Sequence, residues 1–426
     1  METLEDLFDP PQYFPEIDRY RDISIQPDFA PTENNTIEFT IGSYGDPAAT
    51  ILSGPAAPSI SGYVRVLTED NKVLPKTAFV SPCNLFPHAL FSKVAVELNH
   101  KEISDTSRYY HLKSFISNNF SYGMGAKALT LRSDCFVPDD EEDPIKITEE
   151  APGRHFTTRN AEIMESRKYH FSIKPIFDLS TSNLPLAPGT TLRFIFHRND
   201  TKLPLMSPNP NSVYKIEYHD LKMNIRQFVP APSCPALKKL NTSTIYYPIN
   251  RIACNARNIT IGTATVTIPL IVSGQLPYHI MMVLLTNDQT NSIDANPYLF
   301  KTHNLRSFRL IRNGQGHPEK ALEVSGPSAN PTHVYKYFLE NMGINVCTGD
   351  AGPSQSSYFS KDFVMAFNLG LDSCAGVHNH EPLTGKLEVE LDFREATTYP
   401  LSLFYMAIFE NMITITNGDV VKNFIC

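Results

Sequence analysis

The sequence predicts an all-β chain built as two tandem antiparallel sandwiches, with a few short helices in the loops. Three observations predict it. Apolar residues recur at alternate positions in short runs, the period of a half-buried strand. Proline is abundant, 33 residues against 20 glycines, and its spread along the chain breaks it into short segments and disfavours long helices. Finally, Pro230-Ala231-Pro232-Ser233-Cys234-Pro235 places three of those prolines where no central strand can continue. The expected division is an extended N-terminal arm over 1–35, a first sandwich over 36–229, a linker over 230–243 and a second sandwich over 244–426.

In the first half, residues 1–35 are acidic and lack clean periodicity, hence the arm. Ile37–Ile41 is the first strand, and 42–59 is a Gly/Pro/Ala/Ser-rich loop. Ile60–Leu67 and Val73–Val80 read as a strand pair across the turn at 69–72. Asn84 is placed to cap one helical turn with Pro87 near its start, and a strand through Val94, Val96 and Leu98 ends at an Asn99-His100 turn. Ser107–Tyr122 carries apolar residues at helical spacing, with Thr106 or Ser107 as N-cap and Gly123 as the stop. The acidic run Asp139–Asp143 reads as a solvated loop. Strands follow at Tyr169–Ile173, Leu192–Phe196 and Val213–Phe228. In the last, the inward parity reverses at His219-Asp220, which requires a bulge or a change of partner.

The second half repeats the style. Strands are expected at Ile245–Ile249, Ile259–Ile261 and Val266–Val272. Next comes His279–Leu285, apolar at nearly every position and so buried on both faces. It lies between a Gly274-Gln275-Leu276-Pro277 turn and a polar loop closing on Asn296-Pro297-Tyr298. Ser307–Arg312 ends at Asn313-Gly314, 314–333 is loop, and Val334–Met342 is a short helix with Thr332 as cap and Gly343 as stop. Phe363–Leu369, Lys386–Phe393, Leu401–Phe409, Met412–Ile415 and Asp419–Phe424 complete the strands; Lys386–Phe393 alternates apolar with charged residues, as a strand with one wet face does.

Hydrophobic residues at 42% and charged residues at 19% give a globular balance. The net charge of −8, with seven acidic residues against two arginines in the first 22, argues against a basic genome-binding arm. Seven cysteines, an odd number without a CxxC pair, read as reduced thiols of an intracellular compartment. Five Asn-x-Ser/Thr sequons, at Asn34, Asn119, Asn199, Asn241 and Asn258, are read as chance matches in the absence of a signal peptide. No apolar run is long enough to span a bilayer.

Signals for chemistry are sparse. No phosphate-binding, dinucleotide, zinc-protease or nucleophile-elbow motif is present. Cys374, His378, His380 and Glu381 have donor types that can complete a metal tetrahedron, but without ligands from an additional element they read as a polar loop between two strands. Asp139–Asp143 offers clustered oxygens for Ca²⁺ without the glycine and spacing of an EF-hand. Tyr109, Tyr110, Phe115, Phe120 and Tyr122 resemble a base-stacking platform; at helical spacing, with Lys113 alone among them, they read as core. The expectation is no catalytic residue, no cofactor and no metal. An enzyme on paired sandwiches would need convergent carboxylates between them, and the absence of tryptophan counts against a carbohydrate site built on indole stacking.

Five blocks, in order, resemble the double jelly-roll major capsid proteins of Polinton (Maverick) elements and adintoviruses. They are Ile37–Ile41; Val80–Ile103, carrying Pro82, Asn84, Phe86, His88, Leu90, Phe91, Val94, Val96, Leu98 and Asn99; Tyr247–Ile252; Gly274–Phe300; and Leu387–Phe393 with Ile415–Phe424. The segments 42–59 and 139–150 depart from the pattern. The resemblance implies a structural protein: two jelly rolls side by side, homotrimers forming pseudo-hexagonal capsomers of an icosahedral double-stranded DNA virus or element. It further implies contact with neighbouring capsomers, a penton single jelly-roll protein and minor capsid proteins, no sequence-specific nucleic-acid binding, and residence in the virion after synthesis in the host cytoplasm. The residues expected to determine the fold are Pro82, Asn84, Phe86, Gly274, Pro277, Asn296, Pro297 and Tyr298. The rival readings are a glycan-amidase-type hydrolase on paired jelly rolls and a host-domesticated binding scaffold.

Overall fold

The computed structural model describes residues 17–31, 36–42, 48–52, 56–104, 107–182, 184–240, 243–270, 274–327, 329–342, 352–370, 381–416 and 418–422. In the first half the strands are β1 (Ile17–Ile25), β2 (Thr36–Ile41), β3 (Ala49–Thr50), β4 (Ser59–Thr68), β5 (Ser81–Pro82), β6 (Phe91–Leu98), β7 (Lys101–Ser104), β8 (Tyr169–Ile173), β9 (Leu192–Arg198), β10 (Leu205–Met206) and β11 (Tyr214–Pro230). The second half holds β12 (Ile245–Ile259), β13 (Thr265–Leu270), β14 (His279–Thr286), β15 (Leu305–Arg312), β16 (Gln315–Glu323), β17 (Met365–Asn368), β18 (Leu387–Phe393), β19 (Leu401–Thr416) and β20 (Asp419–Lys422). Short helices occupy the connections: α1 (Phe86–Ala89), α2 (Tyr110–Ser121), α3 (Met124–Leu129), α4 (Phe156–Ile163), α5 (Pro235–Leu240), α6 (Asn287–Asn291), α7 (Pro331–Asn341) and α8 (Gln355–Ser360).

The first half pairs β1-β11-β4-β8 in one sheet and β2-β9-β6-β7 in the other. The second pairs β12-β19-β14-β17 and β13-β18-β15-β16. With the two-residue strands and β20 set aside, both halves share one order: first-eighth-third-sixth facing second-seventh-fourth-fifth. That is jelly-roll connectivity, two antiparallel sheets face to face. The all-β, two-sandwich expectation holds.

Alternation explains most strands. β18 buries Leu387, Val389, Leu391 and Phe393 and turns Glu388, Glu390 and Asp392 outward. β14 buries seven consecutive residues, because it lies between β19 and β17 and is covered on both faces. The parity flip in β11 is a bulge: the register with β4 shifts between His219 and Lys222, and Asp220 takes φ 51°. Gly62 on β4 makes room for it, since a Cβ there would lie 2.7 Å from Leu221 Cδ2 and 2.8 Å from the His219 carbonyl.

Several expectations are corrected. Ile17–Ile25, read as part of the arm, is the first strand of the first jelly roll and pairs with β11 through Ile17↔Pro230 to Ile25↔Met223. Its charges mislead because it is an edge strand whose residues 17–20 are exposed. Val73–Val80 forms only a bridge, Leu67↔Val73: β8 holds that edge of β4 over Ile60–Val64, and Leu74 N–H donates to Ser166 Oγ instead of extending a ladder. Residues 314–333 include β16, joined to β15 by Asn313 and Gly314 at φ 52° and 82°, a tight hairpin turn. Ile245–Ile249 and Ile259 belong to one long strand paired along its length with β19. The loop after β14 contains α6, held by Gln289, whose side chain accepts from Thr286 N–H. Asn330, not Thr332, caps α7 by accepting from His333 N–H. The expected end of α2 holds, Ser121 being its last residue with Gly123 just past it, though Gly123 takes φ −71° and leads into α3. The linker region contains α5.

Candidate functional site: the junction between the two jelly rolls

In each jelly roll the connection between the third and fourth long strands carries one of the blocks singled out by sequence. Pro82, Asn84 and Phe86 lie between β4 and β6; Asn296, Pro297 and Tyr298 lie between β14 and β15. The fold brings these two connections to one place, on either side of α2. Gly274 (φ 76°) and Pro277 lie elsewhere, in the turn leading into β14.

Helix α2 is buried on nearly every position, which an isolated surface helix would not be. Leu112, Phe115, Ile116 and Phe120 join the core of the second jelly roll, while Tyr110 joins that of the first and its hydroxyl meets His88 Nδ1 at 3.1 Å. Tyr298 stacks on Phe115 with centroids 4.3 Å apart and planes 3° from parallel. Burial, with the Cys83 thiol beside it, pushes the Tyr298 hydroxyl well above the usual phenol range. Of the aromatic cluster, Tyr110, Phe115 and Phe120 are core, Tyr109 is half-buried against Phe404, and Tyr122 is exposed.

Asn84 does not cap α1. Its Oδ1 accepts from Leu85 N–H at 3.1 Å and Val137 N–H at 3.0 Å, pinning the chain that follows Phe136. That chain, 136–147, is the acidic run expected to be solvated, and the structure overturns the expectation. Asp139 and Asp143 are buried. Asp139 accepts from Arg159 Nη2 at 2.8 Å in a buried pair, and Arg159 Nη1 donates to the Val137 carbonyl. Asp143 accepts from the backbone N–H groups of Asp140 and Arg154, so these oxygens serve the protein and not a Ca²⁺ ion.

From there the segment crosses to the second jelly roll. Asn296 N–H donates to the Ile145 carbonyl and Ile147 N–H to the Asp294 carbonyl. Lys301 Nζ donates to the Asp143 carbonyl, Lys361 Nζ to the Asp139 carbonyl, and the hydroxyls of Ser356 and Ser357 to Glu141. Asn119 on α2 donates to Asp362 at 2.8 Å; being buried in this way, that sequon is no glycan acceptor. This strap was illegible as a site, because a run of five carboxylates resembles a solvated loop and its cationic partners lie far away in sequence.

A second buried contact crosses the junction. Lys113 Nζ lies 3.8 Å from Asp178 Oδ1, both fully buried, and Ile252 N–H donates to the same oxygen. Burial raises the Asp178 pKa to about 6. Of the metal candidates, Cys374, His378 and His380 lie outside the described residues, and Glu381 is exposed. Cys83, Cys135, Cys234 and Cys254 are buried. No described helix is long and apolar enough to cross a membrane.

A cleft of about 1170 Å³ opens between the jelly rolls beside this junction. Asp200 is the single carboxylate among its lining residues, so the convergent acid pair required by a hydrolase is not there among the described residues.

Comparison with solved structures rests on this double arrangement. A chain of the Sputnik virophage solved by cryo-EM superposes with a TM-score of 0.64 at 11% identity, covering 99% of this chain and 92% of that one. The mavirus major capsid protein gives 0.58 at 12%, covering 100% and 94%. The fold is the double jelly roll of viral capsid proteins. The Faustovirus major capsid protein has it too, with a TM-score of 0.55 at 9% identity over 96% and 94% of the two chains. No protein-family model matches the sequence, and no curated protein matches it. The likeness lies in the path of the double jelly roll over nearly the full length, at identities where side chains have diverged.

Proposed function

We propose that this protein is the major shell protein of an icosahedral double-stranded DNA virus or virus-like element of the Polinton/adintovirus type. The observation that carries the reading is the repetition of one strand order in two jelly rolls locked by a buried junction. Three such chains around an axis present six jelly rolls of one connectivity, a unit able to tile a pseudo-hexagonal lattice. A closed trimer buries surface that each chain alone exposes. In this reading the linker at 230–243 divides the two jelly rolls and the protein resides in the virion. Its contacts are other copies, a penton single jelly-roll protein and minor capsid proteins, and it performs no catalysis. Pro82, Asn84, Phe86, Asn296, Pro297 and Tyr298 hold the junction, while Gly274 and Pro277 set the turn into β14.

The test is the solution mass of the purified full chain by light scattering, followed by negative-stain images of the same peak. Three chains of 47.8 kDa give about 143 kDa. A peak at that mass with hexagonal outlines supports the capsomer. A monomer that persists across salt and concentration overturns it.

A further inference from the structure

The cleft between the jelly rolls holds a group whose bonding is incomplete. Arg198, the last residue of β9, lays its guanidinium 4.5 Å over the ring of Tyr218. Its Nε and Nη2 are buried and have no hydrogen-bond partner among the described residues. Burial also lowers its pKa. A guanidinium is a fork of donors, and leaving buried donors of a charged group unmet is costly unless an acceptor arrives. His111, also lining the cleft, has a buried Nδ1 without a partner among the described residues.

Two further cations line the same space. Arg108 and Lys202 are exposed, and neither has an ion-pair partner among the described residues. Lys93 is partly neutralised by Glu102 at 3.3 Å, and the Asp200 carboxylate accepts the Lys202 backbone N–H at 3.1 Å. A protein with net charge −8 thus gathers in one concavity three cations, Arg198, Arg108 and Lys202, without an ion-pair partner among the described residues. The second jelly roll supplies neutral hydrogen-bonding groups to the lining: Asn258, Asn287, Thr290 and Ser402.

We propose that this cleft binds a sulfated glycan, its oxyanions taken by Arg198, Arg108 and Lys202 and its hydroxyls by the amide- and hydroxyl-bearing residues of the second jelly roll. Planar guanidinium forks match tetrahedral oxyanions, and a space of about 1170 Å³ exceeds what one free ion fills. A single nucleic-acid strand fits less well. Such sites stack successive bases on aromatic rings; of the rings lining this cleft, Tyr109 and Phe404 are already in contact with each other at 5.4 Å between centroids, and the others are the imidazoles of His111 and His197. Recognition here rests on charge and amides, which needs no indole.

The test uses the full chain and three probes at low salt: a fluorescent heparin-derived oligosaccharide, inorganic sulfate, and single-stranded DNA of matched charge. The oligosaccharide is expected to bind tightest, weakening as salt rises. Arg198→Gln and Arg108→Gln are each expected to weaken it about tenfold, and Lys320→Gln, an exposed cation on β16, to leave it unchanged. If Arg198→Gln fails to fold, Arg108→Gln and Lys202→Gln, both at exposed positions, carry the test. The proposal is overturned by no binding, by binding indifferent to these variants, by inorganic sulfate binding as tightly as the oligosaccharide, or by DNA binding as tightly as either.

Discussion

The two jelly rolls share a strand order but differ in what their sixth strand waits for. In the first, the chain between β7 and β8 spans 105–168 and carries α2, α3, α4 and the strap at 136–147. It leaves its own sandwich and binds the other. In the second, the chain between β16 and β17 carries α7 and α8; Tyr335 donates to the Pro353 carbonyl and Asn341 accepts from Asn368 N–H at home, while Ser356, Ser357, Lys361 and Asp362 meet what the first jelly roll sends across. One connection reaches and the other receives. A duplicated fold becomes one body by making equivalent loops unequal.

The sharpest break of that asymmetry is Asp139→Ala. It strands Arg159 in the junction as an uncompensated buried charge, with an expected loss of about 3–5 kcal/mol in denaturant unfolding. A cost below about 1 kcal/mol would mean the strap is a passive covering. Asn84→Ala and Asn296→Ala then compare the two third-to-fourth connections. The first removes two bonds, leaving Val137 N–H unmet while Leu85 N–H keeps the Cys135 carbonyl; the second removes the one bond of Tyr298 N–H. Expected costs are about 2–4 and about 1–3 kcal/mol; the reverse order would assign the junction chiefly to the second jelly roll. Tyr335→Phe, in the connection that stays at home, is expected to cost about 1 kcal/mol.

Acid probes both halves together. Burial lowers His88 to about 4 and His111 to about 3 in the first jelly roll, and His279 to about 4 and His303 to about 4 in the second. Each folded value lies below the unfolded one near 6.5, so the folded state binds fewer protons and stability falls as pH drops from about 6.5 towards 4. Asp178, raised to about 6, acts oppositely, favouring the fold below its unfolded value near 4 and losing that contribution as pH rises to about 6. Burial raises Asp134 to about 7 and also raises Asp362, so both act in the same sense as Asp178. The four histidines outweigh these three carboxyls, and stability measured against pH is expected to climb between about 4 and 6.5. A flat profile would show that these histidines are protonated in place. The smallest expected effect is at the surface: Asp22→Asn removes an exposed pair with Arg226 and should leave the unfolding midpoint unchanged.

The alternating strands were legible because the strand period appears in the residues themselves. β18 and the buried β14 stand where alternation and an unbroken apolar run put them, and the β11 bulge was visible as a reversal of parity. Edges and junctions were not. β1 reads as a charged tail because its core-facing residues are few, and β16, with burial confined largely to Leu322, reads as a loop. At the site, Asn84 and Tyr298 could be singled out, but what they touch could not. The partners of Asp139 and Lys113 lie 20 and 65 residues away, and no local pattern announces a buried ion pair.

The pairing of β1 with β11 also sets a timetable for biosynthesis. Ser24 bonds to Asn224, 200 positions later. At about 5–20 residues per second, roughly 10–40 seconds separate the two leaving the ribosome. Through that interval β1 has no neighbour to close against, and the first jelly roll is a sheet awaiting its inner strand. The alternation of Asp18, Arg19, Arg21 and Asp22 along it gives the nascent edge a charged fringe that other chains cannot readily pair with. The residues that made this strand look like a tail are those that let it wait.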